Sequence, residues 1–596
     1  MVSKQTNAFF RATIFAVGRK VLKLFLKYSS ISTPFRGYRL VALAAVCLLT
    51  AGSACASDMS PLVSDRLQSM ADKLQINGKL SALGIQIETN RVLIDMYARA
   101  HYQALWQEPS TVRKLIAEIE QSRLDGLKPE DYHYHVLASV VSGAATGTHT
   151  ASETAERELV LSDALIRLSF NLYFGKVDPR AQNSRWPLPA YIGTQKAAAL
   201  LTRQIAAGRI DAFIGSLRPS HLVYRRLVTA LSRYHSIADK GGWPEIPAGP
   251  LIEKGDRDPR VPLIRQRLLA TGDLPATSVH RGDYFDEDLV DATARFQDRH
   301  RIDTFAPGSD DSYGAVGEDT REQMNVPVAH RIDQIRVNLE RARWVLHYLP
   351  STYLIADIAD FSVVLVDEDQ MIWRSRVQVG DAYRKTPVFR SKIRFMEINP
   401  TWTVPPGILD SSLLPGLRKD PHAKRLGRYV VYDRNGKPVD DPAKIPWNRY
   451  TGRTLPYRLV QRPGPDNPMG RIKFIFPNPD FVFIHDTPDR DFFDLERRDL
   501  SAGCIRIENP FELAAILMRL DGQEDEERLQ TLLKSGRTGR INLNDPFPVI
   551  LFYGTVSVDA KGNVAFRPDI YGRDPELLDA LDAPTTLWRK TAHPSS

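Results

Sequence analysis

The sequence holds three cysteines, Cys47, Cys55 and Cys504, and only the last stands among residues that could do chemistry together. It closes the run Ser501-Ala502-Gly503-Cys504 and is followed by Ile505 and Arg506. His485 lies 504 − 485 = 19 residues upstream, in the alternating stretch FVFIHD. Acyl transfer by a thiol needs a thiolate, a base that takes and returns its proton, donors for an oxyanion, and a cleft for the acyl group. Cys504 is the candidate nucleophile and His485 the candidate base. Gly503 permits a tight turn that opens the Gly503 and Cys504 amides to a substrate carbonyl. An imidazolium and the Arg506 guanidinium would each lower the thiol pKa by favouring the anion. Each residue taken singly also has a plainer reading. Cys504 could be a small buried hydrophobe, and His485 a structural residue at a strand end.

Charge and leader narrow the setting. The formal charge of +8 comes from 79 basic and 71 acidic residues, and residues 1–57 carry eight basic side chains and no acidic one. The remainder holds 79 − 8 = 71 basic against 71 acidic residues, so it is neutral and no nucleic-acid partner is expected. The apolar run VALAAVCLLTA (41–51) follows the basic stretch and precedes Ala54-Cys55-Ala56. This is the pattern of a signal peptide over residues 1–56, which marks the mature protein as exported. The run is shorter than the roughly 20 apolar residues of a spanning helix. An uncleaved inner-membrane anchor is the alternative; lipidation at Cys55 is disfavoured by Gly52 three positions before it. Residues 8–28 read as a basic amphipathic surface helix or as sequence ahead of a later start. Loss of the leader leaves Cys504 alone in an oxidising compartment, which marks it as reactive or intermolecular.

The elements that must position these residues are read from periodicity. At 596 residues the chain exceeds one core, and its 43% hydrophobic and 25% charged content is that of a globular protein. The fold expected is multidomain α+β. Residues 57–245 read as a helical scaffold, with apolar residues at 161, 165, 168 and 172 in helical spacing. Residues 139–158 read as a loop, and the Tyr132–His135 run lacks metal-ligand spacing. The Gly/Pro-rich stretch 241–259 marks a boundary, beyond which 250–326 reads as a small three-helix unit. Residues 330–350 form a linker helix with Ile332, Ile335, Leu339 and Ala342 on one face. From 351 to 575 the texture turns to period two. We expect a β-rich catalytic domain there, a sandwich with helix 510–520 packed on it and hairpins at Asp367–Asp369 and Lys561–Asn563. Within it, 410–467 shows few strand signals and reads as a cap inserted over the active face. Residues 576–596 read as a C-terminal tail.

The segment FIHDTPDRDFFDLERRDLSAGCIRIENP (483–510) closely resembles the active-site signature of the L,D-transpeptidases, a histidine followed by Ser-x-Gly-Cys-x-Arg. EINPTWTVPPGIL (397–409), YRLVQRPGPDNPMGRIKFIFPN (457–478) and the block 544–574 resemble the large periplasmic subgroup, as do DGLKPEDY (125–132) and LYFGKVDP (172–179). RQRLLATGDL, ATARFQ and GAVGEDTREQMN give 250–326 a resemblance to the peptidoglycan-binding module.

The resemblance implies a reaction. Cys504, activated by His485, attacks the third residue of a peptidoglycan tetrapeptide stem and expels the terminal D-alanine. The thioester then passes to the side-chain amine of a neighbouring diaminopimelate, giving a 3→3 crosslink. The resemblance also implies that Gly503 lends an oxyanion-hole amide and that a backbone carbonyl near Ser501 orients His485. Arg506 would position loop or substrate, with Asn399, Trp402 and Tyr457 as cleft residues. Neither cofactor nor metal is required. Peptidoglycan is the expected partner, with other cell-wall synthesis enzymes beside it, and carbapenems are expected to acylate the cysteine. Hydrolysis of the same thioester (an L,D-carboxypeptidase or a wall-peptide peptidase), transfer to a lipoprotein lysine, and a non-catalytic wall-binding scaffold are the alternatives.

Overall fold

The computed structural model describes residues 60–587 apart from 89–90, 144–149, 183, 185, 187–191, 280, 305–310, 348, 423 and 524. The expected signal peptide over 1–56 lies outside the described residues, as does 588–596 of the expected tail.

Among the described residues from Ser60 to Asp239 the regular structure is helical apart from one hairpin, β1 (Lys79–Ala82) with β2 (Ile85–Glu88). Its longest helix, Ala151–Phe174, opens on a capping box. Glu153 N–H donates to Thr150 Oγ1, and Thr150 N–H donates to the Glu153 carboxylate. Two donors that a helix start leaves open are thereby satisfied. The stretch 139–158 expected as a loop is therefore helical at both ends, because this cap starts the helix before its apolar periodicity begins. Leu161, Leu165, Leu168 and Leu172 are buried along one stripe as their spacing predicts. His133 Nε2 is hydrogen-bonded to Asp163 Oδ2 at 2.7 Å within this helical region.

Three helices, Val261–Thr271, Glu287–His300 and Glu318–Asn325, enclose a separate small core of Ile264, Leu268, Leu289, Phe296 and Met324. The helix expected as a linker, Val328–Leu346, is instead a spine buried on most sides. Ile332, Ile335 and Leu339 pack on Tyr224, Leu227 and Leu231 of the helix Leu222–Asp239. Trp344 and Val345 pack with Tyr353, Ile550 and Leu577. At its centre Glu340 and Arg343 form an ion pair with neither side chain exposed to solvent, and Glu340 also accepts the Val177 N–H. A buried pair is tolerable only when hydrogen bonds satisfy the rest of both groups. Here Arg343 donates further to Asp125 O and Tyr224 Oη.

The β-rich region is a closed barrel rather than a sandwich. Its strands are β3 (Tyr353–Asp357), β4 (Ser362–Asp367), β5 (Gln370–Gln378) and β6 (Phe389–Ile398), interrupted by β7 (Trp402–Thr403), β8 (Tyr429–Tyr432) and β9 (Arg458–Gln461). It continues with β10 (Ile472–Ile475), β11 (Ile484–His485), β12 (Ile505–Ile507) and β13 (Gly539–Phe552). The order around the barrel is β10-β11-β12-β5-β4-β3-β13-β6. Closure comes from the long β13, which pairs parallel to β3 and antiparallel to β6 and so leaves no free edge. The turn between β4 and β5 falls at Glu368-Asp369, both left-handed, as a two-residue hairpin requires. β14 (Val556–Val558) and β15 (Val564–Phe566) form the second hairpin, and Pro510–Leu520 is a helix whose Leu513 and Leu517 join the barrel core.

Where few strands were expected, β7, β9 and β8 form a three-stranded sheet. With short helical turns it encloses its own core of Leu409, Leu414, Leu417, Val431, Trp447 and Leu459. The strands were hidden because each has only two to four residues between prolines and glycines. The end of the chain is also more than a tail. A helix, Asp574–Asp582, is tied to the N-terminal helices by Lys176 Nζ donating to Leu581 O and Arg167 Nη1 donating to Thr585 O.

Candidate active site

Strand register assembles the candidate residues. β11 and β12 run parallel with His485 opposite Arg506, and β10 runs antiparallel with Lys473 opposite His485. Ile484 and Ile505, the alternate residues, point into the barrel core. On the other face Gln378, Arg506, His485, Lys473 and Glu397 form a row across β5, β12, β11, β10 and β6. Cys504 immediately precedes β12, two residues from Arg506, so strand alternation puts it on the same face as this row. Phe483 stands on that face too, with Lys473 Nζ 4.0 Å from its ring centroid.

The histidine is held in one tautomer. Its Nδ1 lies 2.5 Å from the carbonyl oxygen of Asp486. A carbonyl only accepts, so Nδ1 carries the proton and Nε2 keeps its lone pair. The resemblance implied a carbonyl near Ser501 for this task, and the structure corrects it. Ser501 O accepts the Asp381 N–H instead, and Ser501 Oγ donates to Cys504 O. The neighbouring carbonyl reaches the ring because it belongs to the next residue of the chain. Asp486 is itself fixed by the Arg471 N–H and by Arg490 Nη2 on its carboxylate.

The Cys504 loop is pinned from below. Gly503 has φ +108°, a conformation that glycine adopts without strain. Its carbonyl accepts from Thr386 Oγ1, whose oxygen accepts the Gly380 N–H; Tyr571 Oη accepts the Thr386 N–H and donates to Gly380 O. Gly380 must be glycine because a Cβ there would stand 2.1 Å from Arg384 O and 3.0 Å from Gly503 Cα. The Gly503 N–H is directed 3.1 Å to Ser501 Oγ. That corrects the expectation that Gly503 offers an oxyanion-hole amide. The Cys504 N–H has no acceptor among the described residues, and it alone of the two is open to an incoming oxygen.

Electrostatics set the resting state. Burial pushes the Cys504 thiol up, opposed by the Phe483 backbone, Lys473 and Arg506. Burial pushes His485 down to about 3 despite the Asp486 carbonyl, and Arg506 and Lys473 push it the same way. The resting pair is thus neutral thiol and neutral imidazole, not thiolate and imidazolium. The sulfur also lies 4.0 Å from Phe481 O. Phe481 is left-handed, with φ +54°, and its ring is 79% exposed. A bulky residue held there is uncommon enough to mark a functional edge. Arg506 donates to Gln378 Oε1 and Asp489 Oδ2, which fixes the loop between β11 and β12.

The other three residues expected in the cleft each have packing or hydrogen-bond partners of their own. Asn399 is buried and spends its amide on the carbonyls of Leu532, Leu533 and Arg537, holding the end of the helix Glu526–Ser535. Trp402 and Tyr457 pack against the cap's own core, Trp402 beside Tyr429 and Tyr457 beside Tyr450. Lys473, Thr386, Tyr571 and Phe481 escaped sequence reasoning. Only the RIKFIF alternation, which sets Lys473 outward between Ile472 and Phe474, offered a signal.

Comparison with known proteins agrees with this geometry. Residues 91–231 match the scaffold-domain family and residues 351–538 match the L,D-transpeptidase catalytic domain family. A Haemophilus influenzae protein, provisionally named an L,D-transpeptidase, is 34% identical over 244 residues, which are 41% of this chain. The match spans about half the relative's length, 48%. Over residues 351–538 the chain is thus similar to the L,D-transpeptidase catalytic domain family, and over 244 residues to a relative named for the same activity.

Proposed function

We propose that the protein is a cysteine-dependent L,D-transpeptidase that forms 3→3 crosslinks in peptidoglycan, working in the periplasm after removal of its leader. The observation that carries the reading is the adjacency of β11 and β12, which sets the Nε2 lone pair of His485 and the Cys504 thiol on one face of the barrel.

In the first half-reaction Nε2 takes the thiol proton as sulfur attacks the carbonyl carbon of the third stem residue. Cys504 N–H holds the oxyanion, while Lys473 and Arg506 favour the developing thiolate over the neutral thiol. The C–N bond to D-alanine breaks, the leaving amine takes the proton from Nε2, and a thioester remains. A diaminopimelate amine then attacks the thioester carbon and gives its proton to Nε2. The C–S bond breaks, the sulfur recovers the proton, and an amide joins the two stems. No net proton or electron is consumed.

Transfer to an amine is favoured over hydrolysis by the cap. Its closed apolar core makes it a folded body rather than a loose loop, able to restrict water at the thioester. The three-helix unit at 250–326 is the proposed wall-binding element, and enzymes of cell-wall synthesis are the proposed protein partners.

Labelling the protein with a carbapenem should add one drug mass at Cys504, absent in Cys504→Ala. Mass analysis of tetrapeptide-rich sacculi after incubation should reveal new 3→3 dimers and free D-alanine. Shortened stems without dimers would assign the protein as a hydrolase instead.

A further inference from the structure

A groove of about 920 Å³ runs along β6, walled by β13, the turn after the spine helix and the Pro477 segment after β10. Its volume is in the range of small-ligand sites, roughly 300–1,000 Å³. Phe389 and Ile393 of β6 join the barrel core, so strand alternation turns Arg390 and Lys392 outward, and Arg394 is exposed beside them. From Arg390 to Arg394 the strand rises about 13 Å. No Asp or Glu lines the groove among the described residues.

None of the three cationic side chains forms an ion pair or donates a hydrogen bond among the described residues. Burial holds the Arg390 guanidinium below its ordinary value, and no carboxylate opposes that shift. Asp545 stands in the bulge of β13 opposite Arg394 without pairing to it, and its N–H is held by Asp521. The chain beyond residue 57 is neutral, so three cations with no acid among them are a local feature of β6. The walls add few donors, because Pro350, Pro477 and Pro548 have no N–H. A ligand there meets rigid apolar rings and three charged tips, of which the guanidinium groups suit carboxylates. A purely apolar ligand would leave the cations unpaired. A membrane surface is met by an apolar face that inserts, not by a concave cationic groove.

We propose that this groove binds a carboxylate-bearing peptide stem of peptidoglycan other than the stem that reacts, with Arg390 and Arg394 pairing its carboxylates and Lys392 between them. The proposal rests on the transpeptidase reading, which supplies a polymer that presents many such stems. Pro477 of the groove wall lies four residues before Phe481, whose carbonyl oxygen is 4.0 Å from Cys504 Sγ. Those four steps reach at most about 14 Å. A stem held on β6 would thus keep the polymer beside Cys504 while another stem is acylated.

The test is co-sedimentation of full-length Cys504→Ala protein with purified sacculi, which removes the chemistry and keeps the groove. Apparent affinity should fall at least tenfold when Arg390→Gln, Lys392→Gln and Arg394→Gln are added together. Thermal unfolding of the same samples should move by less than about 2 °C, because these side chains have no partners to lose. Sacculi with their carboxyl groups converted to amides should bind the Cys504→Ala protein as weakly as native sacculi bind the triple variant. Equal affinity of the triple variant and its parent for native sacculi, or undiminished binding of the parent to amidated sacculi, would overturn the assignment. Binding to phosphatidylglycerol vesicles that the triple variant loses while keeping its sacculus affinity would overturn it in favour of a membrane surface. Failure of carbapenem to label Cys504 would sink the transpeptidase reading alone, because sedimentation does not depend on acylation.

Discussion

Gly503→Ala separates the conformation of the catalytic loop from its packing. An alanine Cβ at this position would meet Arg384 O at 3.5 Å, Val482 Cγ2 at 3.8 Å and Lys385 O at 4.0 Å, all ordinary van der Waals separations. Nothing needs to move for steric reasons, so the cost is torsional. At φ +108° the residue lies beyond the left-handed well near +57°, and a side chain there costs about 1–3 kcal/mol. The chain can relieve that strain by rotating the peptide units on either side of residue 503. Such rotation moves the Cys504 N–H and swings Sγ relative to His485. At 1.4 kcal/mol per tenfold, a cost of about 1–3 kcal/mol predicts a 5- to 150-fold slower acylation of Cys504. The assay is the rate of carbapenem adduct formation by mass spectrometry, beside thermal unfolding of the same samples. The strain is carried by the folded state, so the melting temperature should fall by roughly 2–4 °C per kcal/mol of it, with no further loss from core contacts. Gly380→Ala is the contrast. Its Cβ would sit 2.1 Å from a backbone oxygen, and it should destabilise the fold itself. Acylation of Gly503→Ala within twofold of wild type, or a melting-temperature loss equal to that of Gly380→Ala, would refute the reasoning.

Three further expectations follow from buried charge. Lys473→Met removes a cation that favours the thiolate, so the midpoint of Cys504 alkylation by iodoacetamide should move to higher pH; an unmoved midpoint would assign Lys473 to packing on Phe483. Glu340→Gln strands Arg343 inside the spine and should cost about 3–5 kcal/mol in urea unfolding, whereas Glu340→Met with Arg343→Met should recover most of it; equal losses would show that the charge is not the cause. His300 is buried with Arg299, Arg331, Arg267 and Arg567 around it, and its pKa is held well below 6.5. The unfolded chain binds a proton there below about pH 6.5 and the folded chain does not, so stability is complete above that pH and falls as the medium is acidified. His300→Gln should lessen the slope of stability against pH, between about 6 and 5, by roughly 1.4 kcal/mol per unit; an unchanged slope would place the titration elsewhere.

What could be read in the chain, and what could not, divides at the point where information becomes non-local. The helix Pro510–Leu520, the Glu368-Asp369 turn and the Cys504 loop are written in contiguous residues, through apolar spacing, turn chemistry and a glycine beside the thiol. The barrel is not, because its closure depends on β13 finding β3 and β6, more than 140 residues away in each case (549 − 354 = 195; 539 − 398 = 141). Lys473 was invisible for the same reason. It sits twelve residues before His485 (485 − 473), and only antiparallel pairing of β10 with β11 sets the two side by side. Asn399 erred in the opposite direction, since it lies inside a stretch that resembles the family and yet serves as a bracket on a helix end.

The position of the row explains why so much of the site is held by backbone. His485, Arg506 and Lys473 stand on the outside of the barrel, where a strand offers every second side chain but no inner wall. Something else must cover them, and the structure uses segments between strands: the 380–386 turn beneath Gly503, and Phe481 against the sulfur. Loops can do this only if their own polar groups are satisfied. Thr386, Tyr571 and Ser501 are the residues that satisfy them, by hydrogen bonds to Gly380, Gly503 and Cys504. The chemistry of one sulfur therefore depends on side chains that never meet substrate. Removal of the Tyr571 hydroxyl in Tyr571→Phe tests that dependence: it frees both Gly380 O and the Thr386 N–H, and it should slow acylation of Cys504 while His485, Lys473 and Arg506 stay in register. Acylation at the wild-type rate in that variant would mean that the barrel face alone holds the loop.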